Sequence, residues 1–221
     1  MGIAYNTSIV TDGLVFAFDA GNTRCYSGSG LTAYGLTNGS ACNFSSSIGF
    51  TTRGNGGLVF DGTFKYITLP TTIDTNNDFT INFWNRRNVI NATNTLLHGI
   101  NLTSYLQIRY NPSNAVQLVK SNLFDVGSFT GYTSTAGTDV YLTVRLTKST
   151  NTYDLYINGS YISSIASTQT YVTSGPIIGG GYSFAAEHFN GNVYSLSYYN
   201  RALSSKEIAQ NFNATRDRYG I

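Results

Sequence analysis

Residues 189–208, FNGNVYSLSYYNRALSSKEI, carry more mutually consistent structural signals than any other part of the chain. The first half is dense in Val, Leu and Tyr, which suit a pleated, half-buried strand. Ser204 and Glu207 have the spacing of a capping box, in which each side chain bonds the other residue's backbone N–H. Leu203 and Ile208 have the spacing of the hydrophobic staple that often accompanies it. The stretch therefore predicts a long strand that runs into a short capped helix.

The apolar residues of this strand and helix allow two finer predictions. Val193, Leu196 and Tyr198 are three and then two residues apart, so strict alternation is interrupted. That spacing predicts a β-bulge near Tyr194. Phe212 lies one turn beyond the staple residue of the helix, and we expect the helix to dock on the sheet through this apolar side.

The composition of the 221 residues narrows the class of protein. Charged residues make up 11% and aromatic residues 14%, with a net charge of +2, which favours a packed domain over a disordered chain. No run of Lys or Arg could neutralise a row of phosphates, and no apolar run approaches the length of a membrane helix. We therefore expect neither nucleic acid nor membrane as a partner.

The first ten residues show no secretory signal. Cys25 and Cys42 lack zinc spacing, and we expect two buried thiols, with a disulfide between them as the alternative.

About a dozen short extended segments follow one another, separated by turn residues. Strict alternation of strands with helices is absent, which excludes a doubly wound α/β fold. Asn158-Gly159 is a favoured two-residue hairpin turn. The sequence thus predicts one all-β sandwich domain over residues 1–221. The predicted strands are 9–19, 58–62, 66–70, 78–84, 95–100, 104–110, 115–119, 139–148, a hairpin over 153–162, and 176–180.

Several of these segments contain short motifs in a set order, which are Asp12–Asn22, Val59–Gly62, Phe79–Trp84, Leu155–Gly159, Ile178–Gly180 and Phe189–Ile208. In this order they resemble the laminin-G-like branch of the concanavalin A-like lectin/glucanase superfamily. The resemblance implies a jelly-roll sandwich of two antiparallel sheets with one short C-terminal helix. Asp-Ala-Gly-Asn at 19–22 and Tyr-Asn-Arg-Ala-Leu-Ser at 199–204 also resemble modules of bacteriophage structural proteins, in tails, fibres and capsid decorations.

The residues at the family's usual metal positions argue against a cation site. Where relatives often carry acidic residues, this chain has Tyr194 and Ser195 in the last strand, and Phe64 and Lys65 after the Asp-Gly turn. Hard cations need several oxygen ligands, usually with carboxylates among them. We therefore expect no cofactor, and a structural calcium is kept only as the alternative.

The few acidic and imidazole groups argue against catalysis. Glycosidases cut between two carboxylates, which this family's enzymes carry on a Glu-x-Asp-x-Glu strand. The chain has only two glutamates, Glu187 and Glu207, and no such strand. No Gly-x-Ser-x-Gly elbow accompanies the two imidazoles, His98 and His188. We therefore expect no enzyme, with a glycosidase as the weak alternative.

One surface has the residue types that sugar recognition uses. If strands 78–84 and 104–110 neighbour each other, Asn82 and Trp84 share a face with Tyr105, Gln107 and Arg109. Aromatic rings offer a flat apolar face, while amides and guanidinium groups offer fixed donors for hydroxyls. The alternatives are that Trp84 packs under a loop with Arg109 lying over it, or that the face is a protein interface.

Three functions follow from these features. The preferred one is a non-enzymatic virion structural protein of a phage, in a capsid decoration or tail. Its partners would be other virion proteins or further copies of itself as a homo-oligomer. The second is a lectin-like, receptor-binding module for surface glycans, located extracellularly or at the cell surface, and the first two are compatible. A glycosidase is the third.

Overall fold

The computed structural model describes residues 8–99, 105–120, 124–170, 172–180 and 187–221. Two predicted strand ends, Ile100 and Ser104, lie outside these ranges. The described residues form eighteen strands and one α-helix that continues into a 3-10 turn. The bounds are β1 Leu14–Asp19, β2 Thr32–Tyr34, β3 Ala41–Phe44, β4 Gly49–Thr51, β5 Gly57–Asp61, β6 Ile67–Thr68, β7 Thr72–Asp74, β8 Phe79–Arg87, β9 Asn94–His98, β10 Leu106–Tyr110, β11 Val116–Lys120, β12 Phe124–Ser128, β13 Asp139–Thr147, β14 Thr152–Ile157, β15 Ser160–Ala166, β16 Val172–Ser174, β17 Ile177–Ile178, β18 Asn190–Tyr199, α1 Ser205–Thr215 and the 3-10 turn Arg216–Tyr219.

The strands form two large antiparallel sheets that pack face to face. In the first sheet the order is β15-β14-β13-β8-β18-β5-β4, with β1 beside β18. In the second sheet it is β12-β11-β10-β9-β17-β6-β3-β2, and β16 pairs with β7 in a small ribbon. The predicted all-β sandwich with one C-terminal helix is confirmed. That the chain forms one domain over residues 1–221 stays a prediction. No helix of the described ranges is long and apolar enough to cross a membrane.

The core lies between the two sheets and follows from alternation along the strands. Phe79, Ile81 and Phe83 of β8 are fully buried in it, while the alternate residues 80–84 face outward. Each such side chain contributes about 1.5–3 kcal/mol when removed from water. The first predicted strand is too long, because Leu14 N–H donates to the Thr11 carbonyl (3.1 Å) in a turn that precedes β1.

The capped helix is confirmed in detail. The Glu207 N–H donates to Ser204 Oγ (3.3 Å), and the Ser204 N–H donates to Glu207 Oε2 (2.8 Å). Leu203 and Ile208 are both fully buried in one cluster, as the staple requires. Ile208 and Phe212 are the apolar residues through which α1 packs on the outer face of the first sheet. This face is therefore covered by the C-terminal segment.

The predicted bulge at Tyr194 is also confirmed, and it marks a change of neighbour. β18 pairs with β5 as far as Val193 and with β1 from Ser195 onward. Its register with β8 shifts between the same two residues. The extra residue therefore sits where the strand exchanges one partner for another.

Both ends of the described chain lie over the outer face of the first sheet. The Val10 N–H donates to Asn211 Oδ1 of α1 (2.7 Å), and Gln210 Nε2 donates to the Ser8 carbonyl (2.8 Å). At the other end, the ring of Tyr219 packs on an outward side chain of β8. Ser8, Val10 and Tyr219 thus all lie on the same helix-covered side.

Candidate functional site

The five residues predicted as one binding face do not lie together. Asn82 and Trp84 belong to β8 of the first sheet, whereas Gln107 and Arg109 belong to β10 of the second, and Tyr105 directly precedes β10. The premise that the two strands are neighbours is therefore wrong. Alternation assigns residues to a face of their own strand, but it does not identify the adjacent strand.

Trp84 is buried beneath the C-terminal segment. Its side chain is 1% exposed and stacks on Tyr219 with ring centroids 3.9 Å apart and on Phe212 at 5.8 Å. Its Nε1–H donates to Thr215 Oγ1 (2.8 Å). Asn82 is equally buried, and both side chains line a small cavity of about 100 Å³ under α1. The alternative that Trp84 packs beneath another segment is therefore correct in part. The covering segment is the C-terminal helix and the turn after it, not a loop, and Arg109 lies on the second sheet.

Gln107 and Arg109 take part in a polar cluster on the outer face of the second sheet. Gln107 Nε2 donates to Thr95 Oγ1 (2.7 Å) and to Glu187 Oε2 (3.0 Å). Arg109 Nη1 donates to Glu187 Oε1 (2.8 Å), and its Nε donates to Gln117 Oε1 (2.7 Å). We call these five residues the polar cluster. The ion pair at its centre is partly buried, so solvent screens it less than a surface pair.

An imidazole and a phenol ring extend the same face. His98 and Tyr105 are buried with ring centroids 4.3 Å apart. His98 Nδ1 has no hydrogen-bond partner among the described residues. Burial lowers the pKa of His98, so the imidazole is neutral at pH 7. A buried nitrogen left without a partner costs about 1–3 kcal/mol.

Three aromatic side chains stand at the rim beside this cluster. Phe64 lies in the turn that carries the chain from β5 of the first sheet to β6 of the second. Tyr66 and His188 contact its ring at nearly right angles, with centroids 5.3 Å and 5.5 Å away. His188 directly follows Glu187 in the chain, and this peptide link connects the rim group of Phe64, Tyr66 and His188 to the polar cluster.

Sequence reasoning considered Glu187 only as a catalytic acid and Phe64 only as a lost calcium ligand. A signal for Glu187 existed, because no charged residue occurs between Asp154 and Glu187. A single carboxylate after so long an uncharged stretch is expected to pair with a cation from elsewhere in the chain or to belong to a binding site. Arg109 is that partner, but only the fold brings it within reach.

Tyr194, one of the residues considered above for a cation site, has a structural role instead. Tyr194 is buried, and its hydroxyl donates to Asp139 Oδ1 (2.8 Å). No group of three or more His, Cys, Asp or Glu side chains within the described ranges could hold a metal ion. Cys25 and Cys42 are buried free thiols, as expected, and burial raises the pKa of Cys42 to about 12.

Comparisons with known proteins agree with the observed architecture. Residues 61–209 match the Laminin G 3 family, which is described as a concanavalin A-like lectin/glucanases superfamily. A search of curated protein sequences finds no match.

Among solved structures, domain 4 of AbnA, an extracellular arabinanase from Geobacillus stearothermophilus in complex with arabinotriose, aligns with a TM-score of 0.69 and 14% identity over 90% of this chain and 97% of that one. A sialidase from Trypanosoma rangeli in complex with sialic acid aligns with a TM-score of 0.68 and 16% identity over 95% of this chain. This chain spans about a third of that sialidase (34%). The receptor-binding domain of botulinum neurotoxin type G gives a TM-score of 0.68 at 16% identity, over 91% of this chain and 51% of that one. At such identities the likeness concerns the fold alone.

Proposed function

Since the chain belongs to the concanavalin A-like lectin/glucanases superfamily, we propose that it is a non-enzymatic carbohydrate-binding module. The binding site is the polar cluster on the outer face of the second sheet, together with the rim group beside it. The observation that carries the proposal is the Arg109–Glu187 pair, held by Gln107 and Gln117 on the face that α1 does not cover. The arabinanase domain of the same fold, which was solved with arabinotriose, supports the choice of ligand class.

The cluster suits hydroxyl groups because its donors and acceptors are already oriented. Arg109 and Glu187 keep part of their side chains exposed (17% and 25%), so the guanidinium can donate to a ligand and the carboxylate can accept from it. Gln107 is buried and spends both of its Nε2 hydrogens on Thr95 and Glu187, so it positions the carboxylate instead of contacting a ligand. Hydrogen bonds to charged groups contribute about 1.5–3 kcal/mol each. Because the side chains are fixed by one another before a ligand arrives, little conformational entropy is lost on binding.

The same cluster is poorly suited to glycoside hydrolysis. Hydrolysis needs two carboxylates on opposite sides of the bond, one of them protonated. The cluster contains one carboxylate, Glu187, and both of its oxygens accept hydrogen bonds, from Arg109 and Gln107, so the second carboxylate that the reaction needs is not among its residues. We infer binding without turnover, and the release of reducing sugars from polysaccharides would contradict it.

A glycan array tests the binding function. We expect the wild-type protein to bind at least one neutral oligosaccharide and Glu187→Gln to bind at least tenfold more weakly. The matched control is Asp12→Asn, because it also removes one ion-paired carboxylate, but near Arg201 and away from the second sheet. The absence of any ligand across neutral and acidic glycans would refute the proposal.

A role in a phage particle is the second candidate, and it is compatible with the first. It is supported by the motifs at 19–22 and 199–204, which resemble modules of capsid decorations and tails, and by the low fraction of charged residues, 11%. In that setting the partners are other virion proteins or further copies of the chain. Antibody labelling of purified particles tests it, and a protein that associates with no particle component would overturn it.

A further inference from the structure

Phe64 is a large aromatic residue that is left in water beside the polar cluster. Its side chain is 51% exposed. Exposed apolar residues are common on protein surfaces, so exposure alone indicates nothing. The informative feature is that its neighbours hold the ring in one orientation.

Two rings brace Phe64. Tyr66 meets it at an interplanar angle of 77° and His188 at 78°. Edge-to-face pairs of this kind are worth about 0.5–1.5 kcal/mol each beyond the area they bury. The ring is thus fixed before any ligand arrives, which reduces the entropy lost when a flat ligand stacks on it.

The turn that carries Phe64 is fixed as well, and Asp61 is its centre. The carboxylate of Asp61 accepts the Thr63 N–H (3.1 Å) and pairs with Lys65 Nζ (2.6 Å). Gly62 has a φ of +79°, a conformation that glycine adopts without strain. The hydrogen bond from Lys65 lowers the pKa of Asp61 to about 2, so this pairing persists at any physiological pH.

The charges around Phe64 are paired with one another. Asp61 pairs with Lys65, and Glu187 pairs with Arg109. Because each cation is already neutralised by its own carboxylate, an anionic sugar gains less there than it would beside an unpaired cation. The aromatic face itself carries negative quadrupole density, which attracts polarised C–H groups and repels anions.

We propose that the exposed face of Phe64 stacks against the C–H face of an uncharged pyranose or furanose ring, while Glu187 and Arg109 bind hydroxyls of the same glycan. The proposal rests on the carbohydrate-binding function and specifies its ligand class and its apolar contact. Phe64 supplies the flat surface that Trp84 was expected to supply.

Isothermal titration with neutral arabino-, gluco- and galacto-oligosaccharides and with sialyllactose tests it. We expect Phe64→Ala to weaken binding of the neutral ligand at least tenfold and Phe64→Trp to keep it within threefold. Leu31→Ala is the control, because Leu31 is similarly exposed at 53% but lies before β2. Far-UV circular dichroism and the melting temperature establish that each variant is folded.

The outcomes separate the two proposals. Unchanged binding by Phe64→Ala together with weakened binding by Glu187→Gln would overturn the stacking role and leave the carbohydrate function standing. Preference of the wild type for sialyllactose would overturn the uncharged ligand class. If no sugar binds the wild type, the carbohydrate function itself fails, and the stacking role fails with it.

Discussion

Replacement of Trp84 by alanine tests the assignment of this residue to the packing of the C-terminal segment. The ring is almost fully buried between Tyr219 and Phe212, and its Nε1–H donates to Thr215. Removing a buried Trp or Phe side chain costs about 3–5 kcal/mol, because apolar contacts are lost and a cavity remains. The free energy of unfolding should therefore fall by about 3–5 kcal/mol in Trp84→Ala, a large part of the roughly 5–15 kcal/mol typical of a domain.

Trp84→Phe separates the ring from its hydrogen bond. The variant keeps most of the stacking but loses the donor to Thr215 Oγ1, which still donates to the Asn211 carbonyl (2.9 Å). A net hydrogen bond contributes about 0.5–1.5 kcal/mol, and the smaller ring adds a similar loss, so we expect about 1–2.5 kcal/mol.

Urea unfolding followed by far-UV circular dichroism measures these changes. Tyr161→Ala is the matched control, because that ring is 54% exposed and its one ring contact is edge-to-face with Tyr156, so its loss should lower the free energy of unfolding by only about 0.5–1.5 kcal/mol. Trp84 is the only tryptophan, so the fluorescence of the wild type should be blue-shifted and should not change when a glycan is added. A loss in Trp84→Ala no larger than that in Tyr161→Ala would refute the packing, as would quenching of Trp84 by sugar at a site on this face.

Three further predictions concern stability, pH and thiol reactivity. Ser204→Ala should lower the free energy of unfolding by about 1 kcal/mol because the capping box is lost, whereas the exposed Lys206→Ala should have almost no effect in the same urea titration. The hydrogen bond from Arg201 lowers the pKa of Glu207 to about 2 from 4.5, so its stabilisation is complete above pH 4.5 and is lost as the pH falls toward 2. Urea titrations across that pH range should show a smaller decline in Glu207→Gln than in the wild type, and an equal decline would contradict the pairing. Because burial raises the pKa of both Cys25 and Cys42, neither should react with a thiol reagent until urea unfolds the chain, and rapid reaction of the native protein would contradict their burial.

The elements with strong local signals were predictable from the sequence. β8 and β13 alternate clearly, the hairpin of β14 and β15 has an Asn-Gly turn, and α1 has its complete cap. Six strands were missed, because they are short and most are rich in polar residues or glycine: β2, β3, β4, β7, β12 and β16. Such segments become strands only because a neighbouring strand supplies their hydrogen bonds, and the sequence does not display that context.

The candidate site was only half predictable, for a related reason. Gln107 and Arg109 were selected for the right chemistry, but they were grouped with residues of the opposite sheet. The partners that give them a site, Glu187 and Thr95, come from segments distant in the chain. Residue type can indicate a chemistry, whereas the contact between distant segments depends on strand order, which alternation does not encode.

The position of the C-terminal segment has a consequence for how the molecule can be mounted. Val10 and Ser8 are held by Asn211 and Gln210, and Tyr219 lies on the same side. A support or a neighbouring module joined after Ile221 would therefore attach behind the first sheet. The polar cluster lies on the other sheet and would point away from that attachment. A tag after Ile221 should thus serve for immobilisation without obstructing the proposed binding face.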